Sequence, residues 1–181
     1  TLEDDRNYAF ISRERHSSAR HQNLGYPQRA VFTEDFALIW NGKPNRWPAG
    51  APQRYSPKDS TALLPMYGLD SNKSYIRKSA FLDVDDCPTK TFLIENRDKV
   101  KAYFDNAFGK RPEFELFNIK ADPACLNNLA ENPTYKPIRE VLWSNLKKKL
   151  EETQDPRVFG NNPDVFESYH RYSEIRKFPE Q

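Results

Sequence analysis

The densest group of chemically capable side chains in the chain is Arg13-Glu14-Arg15-His16, with Arg20 and His21 close behind. A carboxylate, guanidinium groups and an imidazole in one loop would suit an anionic substrate. Guanidinium forks meet sulfate or carboxylate through paired hydrogen bonds, and histidine can donate near neutral pH. A solvated loop of mutually compensating ions is the plainer reading of the same residues. Position favours the ligand, because the group follows the short apolar run Tyr8-Ala9-Phe10-Ile11-Ser12, and in open α/β sheets ligands gather beyond the carboxyl ends of strands. Arg29, after Tyr26-Pro27, either binds an anion or pairs with a carboxylate, the second again being plainer. Trp40 and Trp47 either stack on a sugar ring or pack into a core.

Other chemistries find no footing. The chain has three His and six Gly, and no His-x-x-x-His pair, Gly-x-Ser-x-Gly elbow, phosphate-binding glycine loop or clustered calcium-binding Asp residues. Cys87 and Cys125 are the two cysteines. They either form a disulfide or stand as two free thiols, and neither lies in a Cys-x-x-Cys metal or redox motif. Asn72-Lys73-Ser74 is a glycosylation sequon, meaningful in a eukaryotic secretory compartment.

The elements that must position these residues follow from periodicity. Tyr8–Ser12 reads as a buried strand. Arg29–Thr33 and Phe36–Trp40, joined by Glu34-Asp35, read as a hairpin without the usual Asn-Gly turn. Prolines at 44, 48, 52, 57 and 65 interrupt every candidate element up to about Asp86, so this stretch reads as an irregular excursion that covers a neighbour or a site. Pro88 suits the first turn of a helix over Thr89–Asn96. Asp98 is placed to cap a second helix, with Val100, Tyr103, Phe104, Ala107 and Phe108 on one face before Gly109. Glu113–Ile119 reads as a strand. The strongest helix spans about 135–153, with Ile138, Val141, Leu142, Leu146 and Leu150 at helical spacing and Lys147 to Lys149 on its solvated face. Residues 157–181 read as an extended, aromatic-dotted tail wrapped over a surface.

A length of 181 residues suits one domain. Apolar residues make up only 37%, yet twelve Phe, nine Tyr and three Trp argue against disorder. The composition therefore reads as a domain that completes its core against something larger. A net charge of +2 gives no reason to expect nucleic acid or an anionic membrane as partner, and no apolar run is long enough to span a bilayer. With Thr1 in front and the one Met at position 66, the chain reads as a fragment or processed product.

Several stretches resemble sulfatases. Glu115-Leu116-Phe117-Asn118-Ile119, Asp122-Pro123 and Asn128-Leu129-Ala130, ahead of an amphipathic helix, are similar to that family's tail signature. Phe10 to His16, Tyr26 to Val31, Lys43 to Gly50 and Asp155 to Asn161 resemble the N-sulfoglucosamine sulfohydrolase-like (heparan N-sulfatase-like) bacterial branch. The resemblance implies an α+β fold in which a small four-stranded antiparallel sheet packs against a long C-terminal helix. It also implies that the N-terminal strand belongs to the large α/β domain of the full-length enzyme. The implied divisions are 1–28 as the end of the catalytic domain, 29–153 as the C-terminal domain and 154–181 as a wrapping tail. The implied activity is hydrolysis of sulfate esters or sulfamates of a sulfated, glycosaminoglycan-like sugar by an exported enzyme.

The family's nucleophile is a formylglycine made within a Cys/Ser-x-Pro-x-Arg motif, assisted by calcium. Cys87-Pro88-Thr89-Lys90 has neither the spacing nor the Arg. No catalytic or metal-binding residue is therefore expected in this chain, and both cofactors are expected in an upstream catalytic domain that would be its partner. The resemblance assigns substrate binding to Glu14, Arg15 and His16, with Arg29 beside them. The rival expectation is a non-catalytic module that binds an anionic glycan or serves structure alone.

Overall fold

A computed structural model describes residues 7–14, 18–170 and 176–180. The chain falls into two units, one formed by Thr1–Glu14, Tyr26–Pro44 and Arg111–Ser168, the other by Arg15–Gly25, Asn45–Lys110 and Tyr169–Gln181. This division differs from the 1–28, 29–153 and 154–181 that the resemblance implies, because the chain leaves and re-enters each unit.

The first unit is the small α+β fold. Strands β1 (Ala9–Arg13), β2 (Gln28–Phe32), β3 (Phe36–Asn41) and β4 (Phe114–Asn118) form one sheet in the order β1-β2-β3-β4, antiparallel throughout. The expectation that the first strand belongs to another, larger sheet is corrected here. Its whole length pairs with β2, from Ala9 opposite Phe32 to Arg13 opposite Gln28. Nor is it buried, since all five of its residues are exposed.

The hairpin turns at Glu34-Asp35 without a positive φ at either residue. Thr33 supplies what Asn-Gly would otherwise provide. Its amide and hydroxyl donate to Phe36 O at 2.8 and 3.2 Å, and Phe36 N–H donates back to Thr33 Oγ1 at 3.0 Å.

Alternation places Arg29 and Val31, Phe36, Leu38 and Trp40, and Phe114 and Leu116 on one face of the sheet. Against that face lies a helix of 17 residues, Lys136–Glu152. Leu142, Leu146 and Leu150 recur every fourth residue and meet Val31, Leu38 and Leu116 in a single core. Each buried leucine contributes about 1.5–3 kcal/mol by leaving water. Val141, expected on this face, is 58% exposed. Trp40 packs on Trp143 at 5.7 Å, so it serves the core. The helix surface carries Lys147–Glu151 and Lys148–Glu152 pairs in solvent, as the sequence suggests. Gln154 then adopts φ +53, ending the helix in a left-handed turn and bringing Asp155 back toward the sheet.

The second unit contains α1 (Pro88–Glu95) and α2 (Lys101–Phe108), so the long helix of the first unit is α3. Cys87 caps α1, its Sγ accepting from Lys90 N–H at 3.4 Å. Both Cys87 and Cys125 are free thiols. Asp98 does not cap α2. Val100 holds that position and makes no side-chain cap bond, and Tyr103 faces solvent.

The proline-interrupted stretch before α1 builds an aromatic core with these two helices. Phe81 is fully buried, stacks on Phe108 at 4.7 Å and lies 5.9 Å from both Trp47 and Phe104. Trp47 is thereby a packing residue. Lys90, on α1, is buried in the same unit. Its ammonium donates to Phe81 O at 3.0 Å and Val84 O at 2.7 Å and pairs with Asp86 at 3.0 Å, which uses all three of its protons. Asp86 also accepts from Tyr75 Oη at 3.0 Å and Lys78 N–H at 2.9 Å.

Burial disfavours the Asp86 charge, but Lys90, Tyr75 and Lys78 outweigh it and hold the carboxyl below its ordinary range. A depressed native pKa contributes stability that is present above the unfolded value of about 3.9 and lost as pH falls through the native value. Urea midpoints are therefore expected to fall below about pH 4, with a shallower fall in Asp86→Asn. Equal slopes in the two proteins would remove Asp86 from the acid response.

Candidate functional site

Arg29 stands on β2 on the sheet face that α3 covers, beyond the last leucine contact. A guanidinium there needs acceptors, and two chain segments bring them. Glu14 follows directly on β1, and Asp155 follows the left-handed residue that ends α3. Arg29 Nε donates to Asp155 Oδ2 at 2.6 Å, and Nη2 donates to Asp155 Oδ1 at 3.1 Å and Glu14 Oε1 at 2.7 Å. Its Nη1 donates to the carbonyls of Arg13 at 3.1 Å and Gln28 at 2.9 Å.

Arg157 completes the cluster. It donates to Glu14 Oε2 at 2.6 Å, Glu167 Oε1 at 3.0 Å, Asp164 Oδ1 at 3.1 Å and Pro163 O at 2.7 Å, and lies over the Phe166 ring at 5.3 Å. Both arginine side chains are 2% exposed. Burial works against the Arg157 charge, yet its hydrogen bonds to the Glu14 and Glu167 carboxylates outweigh it and raise the pKa above the ordinary arginine value.

This arrangement is a clamp: the carboxylates are held by guanidinium groups that keep their charge throughout the working range. The five donors of Arg29 are all engaged inside the protein. Glu14 is likewise committed to Arg29 and Arg157. Arg15 and His16 lie outside the described residues. Arg20 and His21, which the sequence groups with them, have structural partners in the second unit. Arg20 donates to Trp47 O at 2.7 Å, to Pro48 O and to Asp83 at 3.0 Å, and His21 Nδ1 lies 3.2 Å from Phe178 O.

In the sequence, Asp155 and Arg157 stand out only within the Asp155 to Asn161 stretch of the resemblance, with no sign of their partners. The signal that could have found them is the alternation placing Arg29 on the core side of β2, which demands a buried anion from elsewhere. Among the described residues, no three His, Cys, Asp or Glu side chains are grouped to hold a metal ion, and no helix is long and apolar enough to cross a membrane. A scan against protein-family models finds no match, and a search of curated proteins finds no relative.

Proposed function

We propose that this chain is the carboxy-terminal portion of a sulfatase acting on sulfate esters or sulfamates of a sulfated sugar, and that its role is to complete the enzyme rather than to carry the nucleophile. The observation that supports this best is the placement of Glu115-Leu116-Phe117-Asn118, the core of the tail-signature resemblance, as β4 of a four-stranded antiparallel sheet packed on a long helix. That is the arrangement the resemblance implies. The partner is an upstream catalytic domain. Strand β1 offers it an uncovered edge bearing Phe10 and Ile11, 39 and 58% exposed, with Tyr8 just before the strand at 41%.

The formylglycine and calcium of the family find no nucleophile motif in the sequence and no ligand group among the described residues. No step in this chain runs through them. Arg15 and His16 remain the residues proposed to recognise the sulfated sugar. Glu14, which precedes them in sequence, is anchored by two arginines.

The reading requires a Cys/Ser-x-Pro-x-Arg motif in the reading frame upstream of Thr1. The protein expressed from that frame should hydrolyse a sulfated glucosamine substrate, and His16→Ala should lower kcat/KM more than about threefold. A frame without the motif would overturn the proposal in favour of a non-catalytic module, and an unchanged kcat/KM would remove His16 from recognition.

A further inference from the structure

In the second unit, two adjoining cavities of about 380 and 280 Å³ share Arg54 and Arg176 as walls. Together the cavities are lined by five cations, Arg54, Lys78, Lys90, Arg176 and Lys177, against two carboxylates, Asp85 and Asp86. Asp86 is already engaged by Lys90, Tyr75 and Lys78. Lys90 is spent on Phe81 and Val84 carbonyls as well. The cavity surface is therefore left to the two arginines, Lys78 and Lys177, with Asp85 as the opposing charge.

The treatment of these arginines differs from that of the rest of the molecule. The buried arginines at 20, 29 and 157 each reach a carboxylate within 3.0 Å or closer. Among the described residues, no carboxylate forms an ion pair with Arg54 or Arg176. Arg54 Nε is buried and has no hydrogen-bond partner, whereas buried donors in folded proteins are nearly always paired. Arg176 donates from one nitrogen to Ser18 O at 3.3 Å. Burial, and then the nearby charge of Arg176, hold the Arg54 guanidinium below its usual pKa. Two like charges share the wall of both cavities. Leu82 and Val84 on one side and Pro57 on the other add apolar surface, and Ser60 lines the second cavity.

We infer that the cleft between Arg54 and Arg176 is a binding site for a tetrahedral oxyanion, a sulfo or phospho group, borne on a small organic molecule that fills the adjoining cavity. Two guanidinium groups suit several oxygens at once, and the anion would neutralise the repulsion between the arginines. The inference does not rest on the sulfatase reading. The site contains none of the residues assigned there, and a reading frame without the nucleophile motif leaves it standing.

The test is calorimetric titration of the chain with inorganic sulfate, inorganic phosphate, glucose 6-sulfate and glucose 6-phosphate, at ionic strength held constant with chloride. Saturable binding of the anions is expected, with the sugar-borne groups tighter than the free ions, and a repeat of the series at higher chloride should weaken it. Arg176→Gln, at an exposed position, should fold normally and lose about tenfold in affinity; Arg54→Gln should do the same. Absence of saturable binding for all four probes, or equal affinity in Arg176→Gln, would overturn the site. Free ions binding as tightly as the sugar derivatives would overturn the part of the inference that assigns the adjoining cavity to the organic moiety.

Discussion

Arg29→Met is expected to destabilise the first unit by about 3–5 kcal/mol, the range found when one partner of a buried ion pair is removed. The methionine fills the space but leaves Asp155 without the fork it accepts through both oxygens, at 2.6 and 3.1 Å. The carbonyls of Arg13 and Gln28 also lose their donor. Glu14 fares better, because Arg157 still holds its other oxygen. For a chain of this size the loss corresponds to a fall in Tm on the order of 10 °C. Adding Asp155→Asn should recover about 1 kcal/mol or more, since the neutral amide removes the uncompensated charge. A loss under about 1 kcal/mol, as for pairs in solvent, would mean that Arg29 is not a clamp and is free to serve a ligand after all.

The same residue marks where sequence reasoning succeeds and where it stops. Local periodicity was enough to place β2, β3, β4 and α3, because each has a strong apolar repeat of its own: Phe36, Leu38 and Trp40 at spacing two, and Leu142, Leu146 and Leu150 at spacing four. The tail-signature resemblance added how those elements pack. Partners distant along the chain have no such signature. Glu14 and Arg157 are 143 positions apart, and nothing near either predicts the other. The first strand misled for a related reason: Tyr8, Phe10 and Ile11 look like buried residues, but the strand pairs along one edge and its side chains remain uncovered.

The second unit was least legible. Its core residues Trp47, Tyr75, Phe81, Ile94, Phe104 and Phe108 are drawn from proline-broken loops and two helices, so neither a spacing of two nor one of 3.6 runs through them. The expected helices at 88–108 emerged, but Asp98 lost the cap to Val100. Lys90, on the first of them, is a buried tether for the loop before it, which no local pattern signals. The Arg54–Arg176 cleft was invisible for the same reason, since its walls come from opposite ends of the unit's sequence.

Phe81→Ala is expected to cost the second unit about 3–5 kcal/mol, as for a large aromatic removed from a packed core. Phe81 is fully buried and touches four other rings: Trp47, Tyr67, Phe104 and Phe108. It also sits at φ +50, a left-handed conformation that bulky residues rarely adopt. Its backbone is held there by hydrogen bonds at both ends. Its N–H donates to Ala51 O at 2.8 Å, and its carbonyl accepts from Lys90 Nζ at 3.0 Å and Val84 N–H at 3.1 Å. Glycine ordinarily destabilises relative to alanine by about 0.5–1 kcal/mol because it is freer in the unfolded chain. At a left-handed position this order should shrink or invert, since alanine keeps a Cβ that the conformation disfavours. Urea denaturation of Phe81→Ala and Phe81→Gly, followed through Trp47 fluorescence in a Trp40→Phe, Trp143→Phe background, separates the two contributions. Both variants should lose stability heavily, and the glycine variant should be at least as stable as the alanine one. A glycine variant weaker than alanine by the ordinary margin would show that Phe81 is held by its ring contacts alone and that its backbone carries no strain.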